Sequence, residues 1–258
     1  MMRLYFWAKL AIFALIMKLF ADIGNSFVKA SVSDGLRQRL VYQGPSALGP
    51  IRDSLCGLDI DGGMWCSVRP IGDDLLSFFC SLCMTRLTLD TPVPIRNMYK
   101  TPSTLGMDRL AAAVGAWSIK KGYNLFVVDA GTAITFDMVT MDGDYIGGNI
   151  APGIELRFKA LHEHTGALPL VGRDGETPLF GRNTEEAIRS GVIRGVCNEL
   201  NGYVAKLRHD YKPLFVFLTG GDADCFEMNA KSGTFVVPNL VLMGLESIFS
   251  YNEKGLSD

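Results

Sequence analysis

The chain lacks most of the markers that would assign it a chemistry at once. No Gly-x-x-x-x-Gly-Lys-Ser/Thr occurs, which excludes a P-loop. No Gly-x-Gly-x-x-Gly follows a strand, so a Rossmann dinucleotide site is not expected, and no Gly-x-Ser-x-Gly marks a hydrolase elbow. Excess positive charge is missing too: the net charge is −2, and nothing points to nucleic acid. There are three His, and His162-x-His164 in an expected helix points two ways, so both read as surface or packing residues. Six Cys offer one close pair, Cys80-x-x-Cys83, with no second pair or His at ligand spacing. The pair falls in the apolar run 74–87, read as one helix, and both are expected to be buried thiols in a reducing, cytoplasmic compartment. No Pro/Ser-rich linker and no low-complexity stretch appears.

What is present is an ordinary globular balance, 48% hydrophobic and 20% charged over 258 residues, enough for one large domain or two small ones. The first residues stand apart. Arg3 and Lys9 precede the apolar run Leu10–Met17, and Lys18 follows. A positive end before a short apolar segment resembles a signal peptide. The run is too short and interrupted for a spanning helix, and no small-x-small cleavage site precedes Asp22. The expectation is that residues 1–16 are a non-native extension from an over-extended gene start at Met17. A signal or anchor, and a genuine added helix, are the alternatives.

From Met17 on, short β-forming runs at 18–23, 26–32 and 36–43 precede alternating helices and strands. The stretch 102–121 reads as a helix opened by Thr101-Pro102 as cap and first-turn pair. The theme then repeats. Strands at 124–129, 133–139 and 144–150 are followed by helices at 153–162 and 184–209, a strand at 214–218, a short helix near 223–229, a strand at 234–237 and a helix at 240–251. The pattern predicts a duplicated α/β fold, with an N-terminal domain over 17–121 and a C-terminal domain over 122–258.

Each half offers one strand–turn–strand of the same kind. The first is Asp22-Ile23-Gly24-Asn25-Ser26-Phe27-Val28-Lys29, and the second runs Asp129-Ala130-Gly131-Thr132 through Asp137. Such a turn gathers backbone N–H groups and a hydroxyl around a small anion and leaves a carboxylate for a cation. Four further segments fall at strand ends or helix starts: Leu105-Gly106-Met107-Asp108-Arg109, Gly147–Gly153, Gly181–Thr184 and Thr219-Gly220-Gly221-Asp222. Alone, a Gly-rich turn usually just turns the chain, and Thr184 can simply cap a helix. Together they point to a phosphate-binding site built from paired hairpins.

These segments, in this order, resemble the type III pantothenate kinases of the actin/sugar-kinase/Hsp70 superfamily of ATP-dependent phosphotransferases. The resemblance rests on Asp22-x-Gly-Asn-Ser-x-x-Lys29, Tyr99, Thr101-Pro-x-x-Leu-Gly-x-Asp-Arg109 with Ala113-x-Gly-Ala116, Asp129-x-Gly-Thr-Ala-x-Thr-x-Asp137, Gly147-Gly-x-Ile-x-Pro-Gly153, Thr184 and Thr219-Gly-Gly221. It implies ribonuclease H-like/actin-like domains with ATP in the cleft between them, and phosphorylation of pantothenate in the first step of coenzyme A synthesis. By the same resemblance, Asp22 through Lys29 and Thr132 hold the ATP phosphates, with Asp22 also near Mg²⁺. Gly220 and Gly221 lie against adenosine, and Asp129 helps bind K⁺ or NH₄⁺. Tyr99, Gly106, Met107, Asp108, Arg109 and Thr184 contact pantothenate, with Asp108 as general base. A homodimer closes the pantothenate pocket with the neighbouring subunit. Arg109 suits the carboxylate of that substrate, since a guanidinium forks onto both oxygens.

Overall fold

The computed structural model describes residues 16–226 and 233–255. The expected extension at 1–16 therefore lies outside the described residues but for Ile16. In chain order the strands are β1 (Met17–Ile23), β2 (Val28–Ser33), β3 (Gln38–Gly44), β4 (Ile60–Ser67), β5 (Met84–Arg86), β6 (Arg96–Asn97), β7 (Asn124–Ala130), β8 (Ala133–Val139), β9 (Asp144–Pro152), β10 (Leu214–Thr219) and β11 (Thr234–Val236). The helices are α1 (Leu48–Ser54), α2 (Asp73–Ser81), α3 (Met107–Ile119), α4 (Ile154–Glu163), α5 (Thr184–Asp210) and α6 (Leu240–Gly255).

Two mixed sheets carry the duplication. The first has the order β3-β2-β1-β4-β5 and the second β11-β10-β7-β8-β9-β6. Reversed, the second reads β9-β8-β7-β10-β11, the same path as the first, with β6 added at its edge. In both, the first strand pairs antiparallel with the second and parallel with the fourth: β1 with β2 and β4, β7 with β8 and β10. Antiparallel hairpins are closed by tight turns, while the parallel neighbours need long crossovers, which the helices supply.

Two helices fill the space between the sheets. Every residue of α3 from Arg109 to Trp117 is buried, as expected of a helix apolar all round. It packs on β7 and β8, while α6 lies on β1, β2 and β4, and the two helices cross each other. Glycine makes the crossing close. A Cβ on Gly115 would stand 2.3 Å from the Leu240 carbonyl oxygen, and one on Gly244 would stand 1.8 Å from that of Ala111. One continuous core joins Phe20, Met64 and Leu87 of the first half to Leu125, Val127 and Phe217 of the second through these helices.

Three local expectations are corrected. The run 74–87 is not one helix: α2 stops at Ser81, Cys83 adopts a left-handed φ of 54°, and β5 begins at Met84. Cys80 and Cys83 are consequently exposed thiols, not buried ones. Thr101-Pro102 opens only a 3₁₀ turn, Pro102–Thr104, and α3 starts at Met107 behind Gly106, which caps it without a side chain. The short helix near 223–229 is a 3₁₀ turn at Ala223–Cys225, and its later residues lie outside the described ones.

Candidate active site

Strand pairing sets the site. In β1 the parallel register puts Asp22 opposite Cys66 of β4, and in β7 it puts Asp129 opposite Thr219 of β10. Both hairpins turn immediately afterwards, with Gly24 N–H donating to the Phe27 carbonyl at 3.0 Å and Gly131 N–H to that of Ala133 at 3.0 Å. The tips meet: Ser26 Oγ and Thr132 Oγ1 lie 3.2 Å apart. Arg69 Nε donates to the Gly24 carbonyl at 3.1 Å and steadies the first turn. Beside the second, Gly220 has φ 92°, and a Cβ there would lie 2.3 Å from the Ala130 oxygen and 2.5 Å from Asp129 Oδ1. Only glycine lets that backbone close on the hairpin.

Asp108, in the first turn of α3, completes a cleft of about 550 Å³ between the sheets. Its walls include Asp22, Gly24, Asn25, Ser26, Phe27, Lys29, Asp108, Asp129, Thr132, Gly220 and Gly221. The structure thus brings eleven sequence-derived site residues into one space. Ile23 and Val28 are wholly buried in the core of the first sheet, so only their main chain can face a ligand. Gly106 sits behind Asp108, where a Cβ would clash with the carboxylate and force it to move. Met107 packs against the central core.

Three carboxylates near one another strain the electrostatics. Burial, then repulsion from Asp108 and Asp129, pushes Asp22 up to about 7, while the Cys66 thiol and Lys29 pull it back. Burial and then Asp108 push Asp129 up to about 6. Burial raises Asp108 as well, against the hydrogen bond from the Arg109 backbone. Lys29 Nζ lies 3.5 Å from the Pro238 carbonyl and is the cation that offsets Asp22 and Asp129. Cys66 donates to Asp22 Oδ1 at 3.5 Å, and burial holds that thiol well above its usual range.

Arg109 sits deeper than the sequence suggested. It is 5% exposed and forks onto Asp137 of β8, with Nη2 at 2.6 Å and Nε at 3.1 Å from Oδ1. Tyr145 of β9 donates its hydroxyl to the same oxygen at 2.6 Å. Burial works against the guanidinium charge, yet the Asp137 hydrogen bonds hold it charged above its ordinary value. The Tyr99 ring lies 5.7 Å from the guanidinium, within cation–π range.

Thr184 is elsewhere. It is exposed at the start of α5 and lines a second, largely apolar cavity of about 1100 Å³ with Leu161, Ile188, Val192 and Leu156, the last of which also lines the cleft. It is not the cap of that helix: Asn183 accepts from Glu186 N–H at 2.9 Å, and Glu186 reaches back to Arg182 N–H at 2.8 Å.

Sequence reasoning missed Glu155, Lys159 and Arg173 as cleft residues, while Asp222 lines it at the end of the expected Gly-Gly segment. Arg173 joins Glu155 at 3.2 Å to Asp222 at 2.9 Å, linking α4 to the Gly-Gly turn. The Glu155-x-x-x-Lys159 spacing directly after Gly153 was the available signal, one helix face beginning at a ligand-type turn. Arg173 had none. Among the described residues no group of three or more His, Cys, Asp or Glu could hold a metal ion, and no helix is long and apolar enough to cross a membrane.

A family model described as type III pantothenate kinase matches residues 18–206. A curated protein of Phocaeicola vulgatus named type III pantothenate kinase is 44% identical over 241 residues, covering 92% of this chain and 100% of that one. Among solved structures, one from Campylobacter jejuni described as a Baf family transcriptional activator is similar at a TM-score of 0.58 and 23% identity, covering 92% of this chain and 99% of that one. MreB 5 of Spiroplasma citri bound to AMPPNP is similar at a TM-score of 0.51 and 11% identity, covering 94% and 98%. Both likenesses concern the fold alone.

Proposed function

This chain belongs to the type III pantothenate kinase family, and we propose that its cleft takes ATP and pantothenate with Asp108 as the general base. The reaction is ATP-dependent phosphorylation of pantothenate, which commits it to coenzyme A synthesis. The observation that carries the residue assignment is the convergence of Asp108 with both Asp-Gly turns on one space. Phosphoryl transfer depends on positioning and charge neutralisation more than on a strong base. In this reading Gly24 through Lys29 and Thr132 hold the phosphates, and Gly220 and Gly221 face adenosine. Asp108 accepts the proton of the pantothenate primary hydroxyl. Tyr99, Gly106 and Met107 shape that end, and Arg109 holds the substrate carboxylate.

The residues fit cations as well. Asp22, displaced to about 7, and Asp129, displaced to about 6, share the cleft with Asp108 and Lys29, so cations entering with the phosphates would ease the repulsion among the carboxylates. Asp22 would hold Mg²⁺ and Asp129 a monovalent ion, K⁺ or NH₄⁺. A hard divalent ion bound by one carboxylate takes its other ligands from water and phosphate oxygens, which suits a site without a dedicated acid cluster. When bound, these ions would offset phosphate charge alongside Lys29.

The apolar cavity beside Thr184 supports a homodimer in which a second copy covers that face and Thr184 reaches the partner's pantothenate. The free thiols of Cys56, Cys66, Cys80 and Cys83 support a reducing, cytoplasmic setting. The repeated strand order supports a division into halves 17–121 and 122–258. An assay coupled to ADP release, run with pantothenate and Mg²⁺ and with or without K⁺ or NH₄⁺, tests the reading. Turnover that needs a monovalent ion is expected; no turnover with any cation overturns it.

A further inference from the structure

Asp137 and Tyr145 have no part in the scheme above, yet they form the most enclosed polar group in the described chain. Asp137 is 0% exposed, as is Tyr145. Asp137 sits on β8, the outgoing arm of the Asp129–Thr132 hairpin, and Arg109 on α3, one residue past Asp108. The Gly147-Gly148 pair, a ligand-type turn by sequence, makes room for this group. A Cβ on Gly148 would lie 2.7 Å from Asp137 Oδ1 and 1.8 Å from the Phe136 carbonyl oxygen. Gly147, at φ 108°, seats the Tyr99 ring, whose Cδ2 would be 3.2 Å from a Cβ there.

A guanidinium has five N–H donors in a fixed fork. The contacts to Asp137 occupy Nε and one side of Nη2 and fix the plane of the group. The donors left over are held in that same plane, beside the Tyr99 ring. We infer that Asp137 and Tyr145 are positioning residues that set the Arg109 guanidinium in the orientation that selects the carboxylate of pantothenate. The inference rests on the reading that Arg109 meets that carboxylate. It assigns the group a share in substrate affinity and none in the handling of ATP. An unpaired Arg109 would still be charged, but free to rotate, and the substrate would then have to order it.

Tyr145→Phe removes one hydroxyl and keeps the ring. The expected result is a KM for pantothenate raised about tenfold, as for loss of one hydrogen bond to a charged group. KM for ATP and kcat should stay within about twofold of the parent, the ordinary size of an indirect effect. Asp137→Asn should raise the pantothenate KM further; if it does not fold, Tyr145→Phe carries the test. Arg109→Lys is measured alongside, and again in combination with Tyr145→Phe. If Arg109→Lys leaves the pantothenate KM unchanged, the reading of Arg109 fails. If it raises that KM while Tyr145→Phe does not, the positioning role alone fails. A Tyr145→Phe effect that persists undiminished in the Arg109→Lys background, or that falls equally on ATP, also overturns the positioning role.

Discussion

Asp108 stands where one substitution separates chemistry from architecture. Its side chain makes no hydrogen bond that holds two elements together, so Asp108→Asn should fold normally and lose turnover by about 10²- to 10⁴-fold, the usual share of general-base catalysis. The measurement is ADP release alongside a thermal melt; near-normal turnover would refute the base assignment. Asp22 and Asp129 answer to pH. Each folded-state value lies above the ordinary 3.8, so between about pH 4 and pH 7 the native cleft binds more protons than the unfolded chain. These groups therefore stabilise the ligand-free fold in mild acid, and that contribution is lost as pH rises through about 6 and then 7. The melting temperature of ligand-free protein should fall from pH 5 to pH 8 through these groups, and Asp22→Asn should flatten the decline. A decline of unchanged steepness in Asp22→Asn would count against it. Cys66 belongs to the same account, since its buried thiol gives Asp22 a donor where a solvating water would otherwise be needed.

Among the elements, the α3–α6 crossing is the least tolerant of change. Gly244→Ala drives a methyl into the Ala111 carbonyl, and the helices must part to admit it. Overpacking of this kind costs about 1–3 kcal/mol. Denaturant unfolding should show that loss, and turnover should drop with it because α3 carries Asp108. Most strands and long helices were legible beforehand, since the apolar runs in β1 and β7, the apolar alternation in β8 and the capped start of α5 are local signals. What escaped was settled by distant contacts. Pro102 advertises a helix start, but Leu105 is pulled into the core and the helix proper waits for Met107. The apolar run through Cys80 and Cys83 has helical composition, yet the chain leaves the helix at Leu82 to give the sheet its edge strand β5. The two-residue β6 is too short to carry a pattern. At the site, the turn acids were readable because each lies in its own motif. The pairing of Arg109 with Asp137 was not, since 28 residues separate them and neither type announces a partner.

Taken as one molecule, the chain presents two surfaces of different character, the acidic cleft and the apolar cavity at α4 and α5. If the second is where two copies meet, Ala187→Arg places a charge on that cavity from an exposed helical position. Sedimentation should then show the single chain, with turnover lost because Thr184 no longer reaches a neighbour. A dimer that survives the substitution would point to another face. The placement of α6 has a bearing on biosynthesis. The sheet made first presents Phe20 and Met64, and what covers it is a helix made far later: Phe20 meets Phe249 edge-on at 5.9 Å, and Ser33 bonds Glu246 across 213 residues. A ribosome therefore holds a nascent chain whose first half is complete in sequence and bare on one apolar face. That half cannot settle while synthesis continues, so nascent chains paused before α6 should be bound by chaperones, and a fragment ending at Lys121 should aggregate until a separately made second half is supplied.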